Sequence, residues 1–166
     1  MFVRKLVMTL AFALVLSTVP QFALAATKYT DAIAGREIFA TSTLGVFAGA
    51  ATGDLNGSWS AFVYHTPLSP SAIIRGGSFA LATTVSGSAA TVSGTFVYGG
   101  TVTQELAGAN CTKQTYKVQA TLVGVGVGGG DGTGTFEGTL THLRRVLWAR
   151  CITTGATITG VVTLTY

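Results

Sequence analysis

The sequence holds two histidines, His65 and His142, its most versatile candidates for proton transfer near neutral pH. Each closes a run of alternating residues. His65 follows Trp59, Ala61 and Val63 at every second position, and His142 follows Phe136, Gly138 and Leu140. In an extended strand that spacing puts each imidazole on the apolar face, close to the strand's end. At the mouth of a barrel, this is where a small-ligand site is built. Either histidine could then act as a general base or orient a ligand; the plainer alternative is a hydrogen-bonded structural imidazole. No third ligand and no His-x-His spacing accompanies them, so no metal site and no cofactor are expected.

Arg144, Arg145 and Arg150 follow closely. A hairpin turn at Leu143–Val146 would put the first two at an exposed tip. Arg150 alternates with Trp148 and Val146 on an apolar side, where a guanidinium needs a carboxylate or a ligand anion. Glu105 and Asp54 are candidate partners, and Arg150 joins the histidines as a candidate catalytic residue. The seven-residue run Gly128–Gly134 lacks the Lys-Ser/Thr ending and following helix of a phosphate-binding loop. Its Gly-Gly-x-Asp content is shared with calcium-binding β-rolls, but those need tandem copies and here there is one. A flexible hairpin loop is expected.

The elements that must position these groups are strands. Segments 58–65, 78–85, 91–98, 115–127, 133–142 and 156–166 alternate apolar residues with threonine and other polar residues. Threonine is β-branched and suits a solvated strand face. Turn signals at Gly53–Gly57, Pro67–Pro70, Ser86–Ser88, Tyr98–Gly100, Gly108–Asn110, Gly128–Gly134 and Thr154-Gly155 divide the chain into about eight strands. Glycines within strands, such as Gly94, Gly124, Gly126, Gly138 and Gly160, fit sharp bends and tight interiors. The expected fold is therefore all-β, a closed antiparallel barrel of about eight strands, with a β-sandwich as the alternative. Trp59, Phe79, Phe96, Phe136 and Trp148 are expected to line the interior and contact a ligand.

Composition sets the compartment. Arg4 and Lys5, the apolar run Leu6–Val19 and Ala23-Leu24-Ala25 form the three parts of a secretory signal peptide, with cleavage expected after Ala25. Residues 26–166 then form one domain, secreted, periplasmic or at the cell surface. The 166-residue chain has 10 basic and 6 acidic residues, a formal +4. Loss of Arg4 and Lys5 leaves about +2, with no basic cluster suited to nucleic acid. Cys111 and Cys151 both fall in the exported part, so a disulfide is expected. In the chain-entropy picture, closing a loop of about 40 residues stabilises by about 4 kcal/mol.

Gly130–Leu140, reading Gly-Asp-Gly-Thr-Gly-Thr-Phe-Glu-Gly-Thr-Leu, resembles the Gly-Gly-Thr-Gly-x-Phe element of dirigent proteins. The match covers one strand and its leading loop. Dirigent proteins share their barrel with allene oxide cyclases and with bacterial secreted proteins carrying cyclase-barrel-like domains. The resemblance implies an eight-stranded barrel whose central cavity holds a hydrophobic small molecule. Dirigent-type members steer or cyclise reactive intermediates with acids and polar groups in that cavity. No obvious set of cavity acids stands in this sequence, so no catalytic residue is carried over. The expected function is binding of a small lipophilic or amphipathic molecule. The alternatives are an isomerase or cyclase working in the cavity, a small outer-membrane barrel, and a structural or adhesion module. A membrane is the less favoured partner, because the apolar faces are rich in Gly and Ala and aromatic girdles are lacking.

Overall fold

The computed structural model describes residues 26–107 and 111–166. The expected signal peptide and the turn expected at Gly108–Asn110 lie outside the described residues. Among the described residues nine strands follow one another: β1 Lys28–Ala40, β2 Leu44–Gly53, β3 Gly57–His65, β4 Ala72–Val85, β5 Ser88–Phe96, β6 Thr101–Leu106, β7 Gln114–Val127, β8 Gly132–Leu147 and β9 Arg150–Thr165. Pairing runs β3–β2–β1–β9–β8–β7–β5–β4 and returns from β4 to β3. Eight strands thus close an antiparallel barrel, which excludes the sandwich. The extra strand, β6, follows β5 in the same gap between β4 and β7. There β5 pairs with Ser78–Val85 and β6 with Ala72 and Ile73 of β4.

Alternation decides what faces inward. Ile33, Phe47, Trp59, Ala61, Phe79, Phe96, Phe136, Leu140, Ile158 and Val162 all join one buried core. Thr91, Thr95, Thr121, Thr135, Thr157 and Thr159, from neighbouring strands, are exposed. Two pairs of glycines let aromatic rings lie against the wall. Gly35 and Gly49 are register partners, and a Cβ on Gly35 would come within 2.6 Å of the Trp59 ring. Gly138 and Gly160 are likewise paired, and a Cβ on Gly138 would fall 2.5 Å from Phe136 Cζ.

The two barrel ends differ. At the base, where β2, β4 and β7 end, Leu55, Leu81, Val92, Leu122, Val125 and Leu164 fill the interior. Asp31 is buried among them at 0% exposure. Its Oδ1 accepts from Leu55 N at 2.7 Å, tying the β2–β3 loop to β1, while Oδ2 has no hydrogen-bond partner among the described residues. Burial, with a smaller contribution from the Asp54 charge, raises the Asp31 pKa against the opposing effect of the Leu55 amide. A raised carboxyl pKa makes the folded state bind more protons than the unfolded chain, so stability falls as pH climbs from the ordinary carboxylate range through the raised value. Asp31→Asn is therefore expected to exceed the wild type in stability at neutral pH and to lose that advantage in acid. Urea denaturation across pH checks this; a difference independent of pH would refute it.

One turn departs from expectation. β8 continues to Leu147, and the reversal falls at Trp148 and Ala149, not at Leu143–Val146. Both residues have positive φ, 51° and 58°, as a two-residue hairpin of the I′ kind requires. Glycine or asparagine usually announces such a turn, and neither is present. The expected turn at Thr154-Gly155 is instead a bulge within β9. The register slips between Leu143 and Arg144, and the Thr154 hydroxyl donates to the Leu143 carbonyl at 3.1 Å.

Candidate functional site

Above the packed base the barrel is hollow. A cavity of about 360 Å³ runs up to the mouth, the end at which β1, β3 and β8 terminate. Four of the five aromatics expected inside, Trp59, Phe79, Phe96 and Phe136, line it with Ile33, Ala61 and other aliphatic residues. Trp59 and Phe79 stack with ring centroids 6.4 Å apart. Trp59 Nε1 donates to the carbonyls of Ala50 at 3.0 Å and Ala34 at 3.3 Å. The indole's one polar group is thus turned to the wall, leaving an apolar surface toward the cavity.

Polar groups gather at the mouth. His65 and His142 both line the cavity, as do Glu37, Thr41, Ser42 and Thr153. In the eight-strand ring β3 and β8 are four places apart in either direction, so the histidines stand on opposite walls. β1 lies midway along one arc and brings Glu37 between them.

The three groups differ electrostatically. His65 Nδ1 lies 2.7 Å from the Thr66 carbonyl. A carbonyl only accepts, so Nδ1 carries the proton, and in the neutral ring Nε2 keeps its lone pair. The His142 ring packs against the buried Tyr116 ring at 5.1 Å. Burial, reinforced by the Arg144 charge, lowers the His142 pKa and favours neutral imidazole. Burial raises the Glu37 pKa. An apolar cavity thus ends in two imidazoles and a carboxyl whose charged form is disfavoured.

The other two candidates stand elsewhere. Trp148 is 89% exposed at the hairpin tip and does not line the cavity. Arg150, beside it, is exposed, so the expected demand for a buried counter-ion does not arise. Asp54 is at the base, bonded to the Thr30 amide at 2.7 Å, and cannot serve Arg150. The cause is the displaced turn: β8 and β9 run beyond the barrel as a two-stranded ribbon, and alternation there no longer separates inside from outside. Cys111 and Cys151 form the expected disulfide, with Cα atoms 5.4 Å apart, fastening the β6–β7 connection to this ribbon. Such a bond accords with an oxidising, extracellular or periplasmic environment.

Glu37 was not singled out from the sequence, though the signal was there. Asp31, Ile33, Gly35 and Glu37 alternate in phase, and Ile33 is plainly a core residue. The bulge between Glu37 and Phe39 then ends the alternation and turns Phe39 outward. Thr41, Ser42 and Thr153 reach the cavity through a loop and the bulged start of β9, which alternation does not register. Compared with protein-family models, curated proteins and solved structures, the chain matches none.

Proposed function

We propose that the protein binds a small amphipathic molecule, its apolar part in the barrel and its polar end between His65, His142 and Glu37. The carrying observation is the cavity: apolar along its length, polar at one end, within the size range of small-molecule sites. Neutral His142 offers one donor and one acceptor, and the Glu37 carboxyl can accept, a set suited to a hydroxyl or another group that both donates and accepts. The resemblance of Gly130–Leu140 to the dirigent element supports the same use of the interior. The inward apolar face and threonine-rich exterior favour it over a lipid-spanning barrel, which carries its apolar band outside.

A second function, isomerisation or cyclisation of a cavity-bound substrate, draws on the same residues. What favours it is that His142, its pKa lowered by burial and the Arg144 charge, and Glu37, its pKa raised by burial, line one cavity as a candidate base and acid. His142→Ala would then abolish turnover while leaving binding within a few-fold.

Ala61 and Ala120 point into the cavity. The double change Ala61→Leu/Ala120→Leu should fill much of it. Native mass spectrometry of protein purified without detergent should show a bound species of small-molecule mass, lost from the filled variant. Identical bound mass in both would overturn the proposal.

A further inference from the structure

The mouth carries a second apolar feature, on the outside. Trp148 tops the β8–β9 ribbon with Val146 at 63% and Leu147 at 40% exposure, and Ile38, Phe39 and Leu106 are more than half exposed around the same rim. Trp148 also occupies a left-handed backbone position, φ 51°, that a bulky side chain adopts only at a cost. A large apolar residue is thus held at an unfavourable position, aimed into solvent.

Charge is polarised along the same axis. Arg75, Lys113, Arg145 and Arg150 are exposed toward the mouth, and Arg144 adds a fifth cation there, with Glu105 and the cavity's Glu37 as the acids. The base end holds Asp31, Asp54 and Asp131 against Lys28. An apolar protrusion with an aromatic tip, ringed by cations, complements an anionic lipid surface: tryptophan favours the headgroup boundary, and arginine meets the phosphates. A second protein copy would present the same positive charge, which opposes mouth-to-mouth pairing.

We propose that the barrel docks mouth-first on anionic membranes, with Val146, Leu147 and Trp148 entering the headgroup region and Arg145 and Arg150 contacting lipid phosphates. In this pose the protein lies on the bilayer and does not span it. Docking in this pose would place the cavity opening against the source of an amphiphile. It depends only on the outer rim, however, and stands whether or not the cavity is a binding site.

Sedimentation of the disulfide-intact protein with phosphatidylcholine vesicles, with and without phosphatidylglycerol, tests it. Binding is expected only with phosphatidylglycerol, weakening as salt rises. Trp148→Ser should reduce it about 10-fold or more, and Arg145→Gln/Arg150→Gln should remove the preference for anionic lipid. The filled variant Ala61→Leu/Ala120→Leu should dock like the wild type, separating this proposal from the cavity's. Lipids brominated in the acyl chain should quench wild-type fluorescence but not that of Trp148→Phe. Wild-type failure to bind, equal binding by Trp148→Ser, or Trp148-dependent dimerisation without vesicle binding would overturn the proposal.

Discussion

Replacing both cysteines with serine is expected to lower stability by about 4 kcal/mol, the chain-entropy value for a loop of this length. For a domain of this size that is roughly 10–20 °C in melting temperature. Cys151 pairs with Val146 in the ribbon that rises above the barrel, and Cys111 stands in the β6–β7 connection, so the bond joins two segments at the mouth. Its loss should leave the base intact and loosen the rim first. Thermal unfolding with and without reductant reads the first effect, and amide exchange at Arg144–Ile152 against Leu81 and Leu122 reads the second. Coincident melting curves would contradict this.

Removing the Trp59 indole should cost about 3–5 kcal/mol. The ring lies against Gly35, the register partner of Gly49, donates to two wall carbonyls and stacks on Phe79, so its removal deletes packing and two hydrogen bonds. The reciprocal change Gly35→Ala should cost about 1–3 kcal/mol, because the new methyl meets both the ring and the Ala48 carbonyl at 2.6 Å. With the indole gone, half of that clash disappears. The double variant should therefore lose less than the sum of the two, by well over 0.5 kcal/mol, whereas independent sites would add to within about that value. Urea denaturation of the three variants decides it; additive losses would show that the ring does not rest on the glycines.

The residues that were legible share a cause. Trp59, Phe79, Phe96, Phe136, His65 and His142 lie on regular strands, where a period of two fixes the face once one apolar residue declares it. The barrel closure and the glycine-bearing loops at Gly53–Gly57, Ser86–Ser88 and Tyr98–Gly100 followed from the same alternation and punctuation, and the disulfide from two cysteines in the part expected to be exported. What escaped lies where the period breaks. Glu37 precedes a bulge, Thr153 precedes the bulged Thr154, and the Trp148-Ala149 turn lacks its usual residues. Trp148 and Arg150 were misplaced inside because alternation continues along the ribbon after the barrel wall has ended. No property of residues 143–150 taken alone distinguishes a strand with an interior face from one standing free.

The central claim is that the barrel interior admits an amphiphile, and Trp59 can report on it directly. Changing Trp148 to phenylalanine leaves Trp59 as the sole tryptophan, set in the cavity wall. Titration of that variant with a short-chain fatty acid should give a saturable, one-to-one change in emission. The change should vanish when Ala61→Leu and Ala120→Leu are added and weaken when His142→Ala is added. An unchanging signal, or one that survives the filled cavity, would contradict the claim.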